Sequence, residues 1–161
     1  MIKVGDKLPA ATFRTIQDGK MVPQTTDEIF KGKRVVLVGV PGAFTPTCHK
    51  NHVPGYVKQA TEIRARNVDT IAVTAVNDHW VMHNWSEVSG GPASKVVFLA
   101  DNNADFAKAI GLEFDATGGL GGVRSKRYSM LVEDGVVKVL NVEPETGKAE
   151  VTSAENLIKA L

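Results

Sequence analysis

The run from Arg34 to Val40 (RVVLVGV) is the feature that most constrains the fold, because it carries no polar side chain after its first residue. A strand with one face in water alternates apolar and polar residues, whereas a strand buried on both faces does not. Buried strands of this kind belong to α/β sheets that are covered by helices. The run therefore predicts an interior strand of an α/β protein, followed by a helix.

Further segments continue this alternation of strands and helices. The apolar and turn patterns predict helices near residues 47–65, from Asp78 past residue 85, over 102–110 and over 154–161, and strands over residues 70–76, 95–100, 128–132 and 136–140. Pro54 is expected to kink the first helix, Gly111 to close the third, and Asp134-Gly135 to form a hairpin turn. A βαβαβ half followed by a ββα half predicts an α/β, thioredoxin-like fold with a central mixed β-sheet flanked by helices.

Size and charge narrow the class of protein. The 161 residues, of which 43% are hydrophobic, suit one domain over residues 1–161, since no repeat or Pro/Gly-rich linker divides them. A net charge of +1 provides no broad attraction for nucleic acid or an anionic membrane, so neither partner is expected. The start Met-Ile-Lys-Val-Gly-Asp lacks the apolar core of a signal peptide, and no run of about 18 apolar residues occurs. We therefore expect a cytoplasmic protein.

Cys48 is the only cysteine, so it forms no disulfide within the chain and serves packing, reactivity or pairing with another molecule. It follows the strand of residues 34–40, at the sheet edge where α/β proteins place their sites, in a loop or the first turn of the next helix. A thiol in a first helical turn meets the positive end of the helix dipole, which favours the reactive thiolate. A buried, inert cysteine is the alternative, but the neighbouring prolines, glycine and threonines make a poor apolar core.

Two polar neighbours of Cys48 have suitable spacing. Thr45 lies three residues earlier, so its hydroxyl can hydrogen-bond the sulfur or can act as an ordinary helix N-cap, and both roles stay open. His52 lies one helical turn later, which raises the hypothesis of a Cys-His hydrolase. No third residue to orient its imidazole is evident, and we interpret His52 as a structural residue near the site that satisfies backbone carbonyl groups.

The residues around Cys48 resemble a known family. The segment Pro41-Gly42-Ala43-Phe44-Thr45-Pro46-Thr47-Cys48 resembles the active-site pattern of peroxiredoxins, and its continuation through Tyr56 is similar to the type-five subfamily. Further similar blocks occur at residues 76–78, 122–130 and 141–144, so the resemblance spans nearly the whole chain. It implies a thiol peroxidase that reduces hydrogen peroxide and alkyl hydroperoxides.

The resemblance also implies specific roles for individual residues. Cys48 would be the cysteine that attacks the peroxide, Thr45 would bind the peroxide and the sulfur, and Pro41 would shield the sulfur from solvent. Arg127 would supply a cation, although by position alone it would be interpreted as a surface charge. The catalytic set is then Cys48, Thr45, Arg127 and Pro41, the substrate-binding set is Gly42, Thr45, Thr47, Cys48 and Arg127, and Phe44 and His52 lie near the site.

These groups predict a displacement at oxygen that turns the Cys48 thiolate into a sulfenic acid. We expect no metal and no cofactor. Many type-five members carry a second, resolving cysteine before the last helix, and here Val151 occupies the corresponding position. The resemblance therefore implies a one-cysteine variant that is recycled by an external thiol, with glutathione and glutaredoxin as the expected partners. It also implies a homodimer, with Phe44, Trp80 and Trp85 near the contact.

Two alternative functions stay open at this stage. A peroxide sensor would pass the oxidation of Cys48 to a partner protein without turnover, and a cysteine hydrolase would use Cys48 with His52. Two weaker patterns are interpreted as structural. His79 and His83 have a metal-like spacing without a third ligand, and the glycine-rich run of residues 118–122 predicts a flexible loop rather than a phosphate site.

Overall fold

The computed structural model describes all 161 residues. Its strands are β1 (Thr12–Gln17), β2 (Lys20–Thr25), β3 (Arg34–Gly39), β4 (Thr70–Ala75), β5 (Val96–Ala100), β6 (Glu113–Asp115), β7 (Val123–Ser125), β8 (Tyr128–Glu133) and β9 (Val136–Val142). Its helices are α1 (Thr26–Phe30), a π-helical turn (Cys48–His52), α2 (Val53–Lys58), α3 (Ala60–Arg64), α4 (His79–Ser89), α5 (Gly91–Ser94), α6 (Asp105–Ala109) and α7 (Ala154–Ile158). None of these helices is long and apolar enough to cross a bilayer.

Seven strands form one mixed sheet in the order β2-β1-β5-β4-β3-β8-β9. Strands β3, β4 and β5 are parallel to one another, and β8 joins β3 in antiparallel register. Helices α2, α3, α4 and α7 pack on one face, while α1 and α6 pack on the other. This is the predicted α/β arrangement, in which a mixed sheet is covered on both sides by helices.

Strand β3 lies in the interior of this sheet, between β4 and β8, and this position explains its uninterrupted apolar sequence. Val36 and Val38 face the cluster under α2 and α4, whereas Val35 and Leu37 face the cluster under α1 and α6. Both faces are therefore buried, as the sequence predicts. Gly39 ends the strand opposite Tyr128, whose ring occupies the space that a Cβ atom would need.

The helix after β3 is less regular than predicted. The sequence predicts one kinked helix over residues 47–65. The structure instead has a π-helical turn before α2, and Gln59 separates helix α2 from helix α3. The Val53 N–H donates to the Cys48 carbonyl oxygen, five residues back. Pro54 follows at once and has no N–H to donate to the preceding turn, which favours such a local widening. The expected disturbance at Pro54 thus takes the form of a wide turn just before it.

Two other predicted helices are too long. Helix α6 begins at Asp105 rather than at residue 102, because Ala104 has a positive φ of 62° and the Asp101 carboxylate accepts hydrogen bonds from the N–H groups of Phe106 and Ala107. Gly111, with a φ of 70°, follows its end as expected. Helix α7 ends at Ile158 rather than at residue 161.

The strand predictions hold to within one or two residues, and the hairpin between β8 and β9 turns at Asp134 and Gly135, which have φ of 48° and 77°.

Several elements were not predicted. The β1–β2 hairpin turns at Asp18-Gly19, the dipeptide that also signals the later hairpin. Helix α1 has a capping box formed by Thr25 and Glu28. Both signals are visible in the sequence, whereas the short strands β6 and β7 carry none of comparable strength.

Candidate active site

Cys48 lies where strand β3 leads into its helix, as predicted. The first helical hydrogen bond runs from the His49 N–H to the Thr45 carbonyl oxygen at 2.8 Å. Cys48 therefore belongs to the first turn, whose N–H groups have no carbonyl partner within the helix. The side chain is fully buried and packs in the apolar cluster with Val38 and Tyr56. The expectation that its surroundings make a poor apolar core is therefore wrong for one side of the sulfur. The other side faces a charge.

That charge is the guanidinium of Arg127, which immediately precedes β8. Because β8 runs antiparallel to β3, its first residues lie beside the carboxyl end of β3, close to Cys48. Arg127 Nη2 donates to Cys48 Sγ at 3.1 Å, Nη1 contacts His52 Nδ1 at 2.9 Å, and Nε donates to the Thr146 carbonyl oxygen at 3.0 Å. The side chain is only 1% exposed, so the interpretation as a surface charge is wrong.

The partners of Arg127 leave its charge without a carboxylate. A guanidinium stays protonated in proteins, and a buried cation is costly unless an anion compensates for it. Its hydrogen-bond partners are a carbonyl oxygen, an imidazole nitrogen and the Cys48 sulfur, and none of the salt bridges of the structure includes it. Of these three partners, only the sulfur can become an anion. Arg127 therefore places its positive charge beside the one partner that can carry a negative charge.

His52 is held as a neutral imidazole. Arg127 can only donate, so Nδ1 of His52 must accept, and Nε2 then carries the hydrogen that it donates to the Thr152 carbonyl oxygen at 2.9 Å. Burial lowers the pKa of His52 from 6.5 to about 4, and the nearby guanidinium acts in the same direction. Neither ring nitrogen has a free lone pair for the thiol proton. This arrangement contradicts the hydrolase hypothesis and agrees with a structural role for His52.

The predicted substrate-binding residues lie around the same point but differ in their contacts. The Thr45 hydroxyl donates to the Gly42 carbonyl oxygen at 2.7 Å, and no hydrogen bond joins it to a helix N–H group or to the sulfur. The Thr47 hydroxyl donates to the Gly147 carbonyl oxygen at 2.8 Å. Gly42 is buried close to Thr45, where a Cβ atom would come within 3.1 Å of the Thr45 methyl group.

A cleft of about 470 Å³ opens beside this group. Pro41, Thr45, Thr47 and Arg127 line it, which brings together four residues of the predicted site. The loop between β6 and β7, including Leu120, also contributes to the lining. The glycine-rich run of residues 118–122 is thus a loop, as predicted, but its position on the cleft was not predicted.

Phe44 lies on the outer surface next to the site. It has a φ of 62°, is 47% exposed, and its ring lies 5.5 Å from the ring of His49. Trp85 is fully buried and donates through Nε1 to His49 Nδ1 at 2.9 Å, whereas Trp80 is half exposed. Phe44 thus lies beside His49, one residue after Cys48, and only Trp85 of the two tryptophans belongs to the core.

The histidine pair on α4 has other partners. His79 Nδ1 lies 3.3 Å from Asn102 Nδ2, and His83 Nε2 lies 3.9 Å from a carboxylate oxygen of Glu87. No group of three or more histidine, cysteine, aspartate and glutamate side chains is gathered closely enough to hold a metal ion.

Sequence reasoning missed the segment after β9. Thr146, Gly147 and Thr152 contribute backbone carbonyl oxygens to Arg127, to Thr47 and to His52, respectively. A carbonyl group is present at every residue, so no residue type signals this function. The only hint is the resemblance of residues 141–144 to the peroxiredoxin pattern.

Comparison with known proteins agrees with this geometry. The redoxin family model matches residues 3–158. Chloroplastic peroxiredoxin-2E-2 of Oryza sativa is 47% identical over 99% of this chain and 72% of its own, and peroxiredoxin-2C of the same species is 41% identical over 99% and 98%. The structure of reduced Prx3 from Vibrio vulnificus in complex with hydrogen peroxide superposes with a TM-score of 0.93, at 46% identity and over 99% of each chain. Peroxiredoxin 5 from Alvinella pompejana gives 0.85, at 32% identity over 99% and 97%.

The chain therefore belongs to the redoxin family, with the thioredoxin-like fold of that family. Within it, full-length relatives at moderate identity define a peroxiredoxin, an oxidoreductase with thiol peroxidase activity. Its single cysteine corresponds to a one-cysteine variant. The predicted family and enzyme class are confirmed.

The neutral state of His52 predicts how stability depends on pH. The unfolded chain takes up a proton on this residue near pH 6.5, but the folded protein does so only near pH 4. The neutral state of His52 therefore contributes fully to the free energy of unfolding above pH 6.5, and this contribution, about 3 kcal/mol at most, is lost as the pH falls towards 4. Urea unfolding across this pH range should show a free energy of unfolding that falls less steeply with falling pH in His52→Leu than in the wild type. His83→Asn, at a partly exposed position, should keep it, and equal slopes in all three proteins would contradict the assignment.

Proposed function

We propose that the protein reduces hydrogen peroxide and alkyl hydroperoxides through the Cys48 thiolate. The observation that carries the proposal is the hydrogen bond of 3.1 Å from the buried Arg127 guanidinium to Cys48 Sγ. In the proposed step an electron pair of the sulfur attacks one peroxide oxygen, and the O–O bond breaks with its pair on the other oxygen. That oxygen takes a proton from water and leaves as water or an alcohol. The sulfur is oxidised to sulfenic acid.

Negative charge moves from sulfur to oxygen during this step, so donors aimed at both atoms lower the barrier. Arg127 is suited to follow the charge because it carries several N–H groups in one plane. The N–H groups of Thr47 and Cys48 in the first helical turn, and the Thr45 hydroxyl on the cleft, are further candidates for the peroxide oxygens. Pro41 forms part of the same cleft wall and would keep bulk water from the sulfur. The structure of reduced Prx3 from Vibrio vulnificus is a complex with hydrogen peroxide, which supports a small peroxide as the substrate.

Arg127→Ala should reduce the second-order rate of Cys48 oxidation by roughly 100-fold, because one preorganised charged donor to the reacting atoms is lost. The rate is measured by stopped-flow mixing of reduced protein with hydrogen peroxide and with an organic hydroperoxide. Lys126→Ala changes the charge equally at the neighbouring position and should leave the rate within a factor of two or so of wild type.

An unchanged rate in Arg127→Ala would contradict the assigned role of Arg127. Full activity in Cys48→Ser would contradict the proposed chemistry altogether. The sensor alternative differs in the second half of the cycle, because it predicts oxidation of Cys48 without sustained turnover when a thiol reductant is present. The same stopped-flow traces, continued to steady state, therefore separate the two functions.

We also propose that an external thiol regenerates Cys48. One thiol molecule attacks the sulfenic sulfur, which forms a mixed disulfide and releases water, and a second thiol breaks that disulfide to return the Cys48 thiol. Support comes from the composition, since Cys48 is the only cysteine of the sequence. By the resemblance to type-five members, Val151 stands where many of them carry the resolving cysteine. Glutathione with glutaredoxin is the proposed reductant.

Steady-state peroxide consumption should therefore proceed with glutathione and glutaredoxin and stop when both are omitted. Thioredoxin with its reductase serves as the comparison, since it is suited to reducing disulfides within one protein. Turnover with thioredoxin alone, together with none in glutathione and glutaredoxin, would reverse the assignment of the reductant. Val151→Cys tests the same point, because an internal partner for Cys48 should shift the preference towards thioredoxin.

We further propose a homodimer whose contact includes Phe44 and Trp80, which expose 47% and 51% of their surfaces. Exposed aromatic side chains are typical of contact surfaces.

We also propose that the protein is located in the cytoplasm. A cytoplasm rich in reduced thiols suits the cycle, although peroxiredoxin-2E-2 of rice is chloroplastic by name.

Sedimentation equilibrium should give the mass of two chains, and Phe44→Asp should shift the protein towards one chain, because a buried charge without a partner disfavours association. Val4→Asp is the matched control, since Val4 is also exposed and apolar but lies near the amino terminus. A single chain at all concentrations would exclude the dimer, and equal effects of both variants would exclude Phe44 from its contact.

A further inference from the structure

Glu143 is a buried carboxylate that no step of the proposed reaction uses. It follows strand β9 directly and is only 4% exposed. One oxygen accepts from the N–H groups of Glu150 and Thr152 and from the Thr152 hydroxyl, at 3.2, 3.1 and 2.8 Å. The other accepts from the Val151 N–H at 3.3 Å. Burial opposes its ionisation, but these hydrogen bonds outweigh it and hold the pKa of Glu143 below its ordinary value.

This carboxylate fixes the backbone at Thr152, and Thr152 in turn holds two buried side chains. Its carbonyl oxygen accepts from His52 Nε2 at 2.9 Å and from the Tyr56 hydroxyl at 2.6 Å. Burial raises the pKa of Tyr56, so its hydroxyl remains a donor. The carbonyl group has two lone pairs, and both are therefore used by side chains from the helical segment that carries Cys48.

From His52 the contacts continue to the sulfur. Donation from Nε2 to Thr152 leaves Nδ1 as the acceptor for Arg127 Nη1, at 2.9 Å. The other terminal nitrogen, Nη2, then points its hydrogen at Cys48 Sγ at 3.1 Å. A rigid guanidinium cannot change one of these bonds without turning the other. The distance between Arg127 and the sulfur thus depends on where Thr152 places the imidazole.

We propose that Glu143 is a positioning residue for the peroxidase reaction, which acts through the Thr152 carbonyl group and His52 to aim Arg127 at Cys48. The inference rests on the proposed role of Arg127. Groups around a site that orient its reacting side chains lower the rate when they are lost, even though they touch no substrate. Glu143 is joined to the sulfur by Thr152, His52 and Arg127 in sequence.

A second connection must be separated from this one. Arg127 Nε also donates to the carbonyl oxygen of Thr146, which belongs to the same segment between Glu143 and Thr152. Loss of Glu143 could loosen the whole segment and disturb Arg127 through Thr146, without any part for His52. The two routes differ in one respect, because only the first requires the imidazole.

Glu143→Gln tests the proposal in the full-length protein. A glutamine keeps one acceptor oxygen, but its NH₂ group replaces the other oxygen and faces a backbone N–H that the carboxylate binds in the wild type. Two donors then face each other, so Thr152 is no longer fixed. We expect the rate of Cys48 oxidation by hydrogen peroxide to fall about 10-fold, the lower end of such effects. Glu145→Gln makes the same charge change at an exposed position of the same segment and should keep the wild-type rate.

A double-mutant cycle with His52→Leu identifies the route. His52→Leu alone should lower the rate, and adding Glu143→Gln should lower it no further, because the connection is already broken. A further 10-fold or so loss in the double variant would show that Glu143 acts independently of His52 and would overturn the proposal. An unchanged rate in Glu143→Gln alone would overturn it as well.

Unfolding by urea shows which variants remain folded at the temperature of the assay. If Glu143→Gln is unfolded, Thr152→Val replaces it, since this variant removes only the hydroxyl donor to Glu143. Thr152→Val should lower the rate of Cys48 oxidation by about 3-fold in the wild-type background and should not lower it further in the His52→Leu background. No loss in the wild-type background, or an equal loss in both backgrounds, would overturn the proposal. Cys48→Ser, measured alongside, separates the two hypotheses. Its full activity would reject the proposed function, whereas its inactivity with an unaffected Glu143→Gln would reject only the role of Glu143.

Discussion

A buried guanidinium without a carboxylate partner is the constraint on which the site depends. Arg127 is almost completely enclosed, and its N–H groups meet a carbonyl oxygen, an imidazole nitrogen and a sulfur. Such a cation is costly in an apolar interior unless a negative charge lies nearby. In the proposed reaction the Cys48 thiolate would supply that charge, so one contact would serve both the burial of Arg127 and the reactivity of the sulfur.

The fold brings these groups together from distant parts of the chain. Cys48 and Arg127 are 79 residues apart, and His52 and Thr152 are 100 residues apart. Strand β3 delivers the cysteine at its carboxyl end, and antiparallel β8 begins at the same edge of the sheet. The segment after β9 then closes over both elements and contributes backbone carbonyl groups. The central sheet thus fixes the relative positions of the sulfur and the cation, while an irregular segment adjusts the cation's orientation.

Much of this arrangement can be predicted from the sequence, and the limits have physical causes. The double-faced burial of β3 is visible because Val35 and Val36 are both apolar, and the Asp134-Gly135 turn is visible because few residues adopt its positive φ. Arg127 is identified only through the family resemblance, since nothing in its local sequence distinguishes a buried arginine from an exposed one. Thr146 and Thr152 act through their carbonyl groups, so their side chains carry no signal of that role.

The hydrogen bonds and the helix geometry around Cys48 could not be predicted from the sequence either. A spacing of three residues leaves the contacts of the Thr45 hydroxyl undetermined, and the structure shows it bound to Gly42 rather than to the helix or the sulfur. The wide turn at residues 48–52 arises from a missing N–H at Pro54 together with tertiary packing. Spacing identifies which residues are neighbours, whereas the orientation of their polar atoms depends on elements that arrive later in the chain.

The complete enclosure of the Cys48 sulfur bears on both halves of the proposed cycle, because its two proposed reaction partners differ in size. Hydrogen peroxide has two heavy atoms and needs only a narrow approach, whereas a peptide-sized thiol must contact the sulfur over a much larger surface. In the proposed cycle a peptide-sized thiol would therefore need a wider opening of the turn around Cys48 than hydrogen peroxide would. The same enclosure keeps bulky electrophiles away from the sulfur.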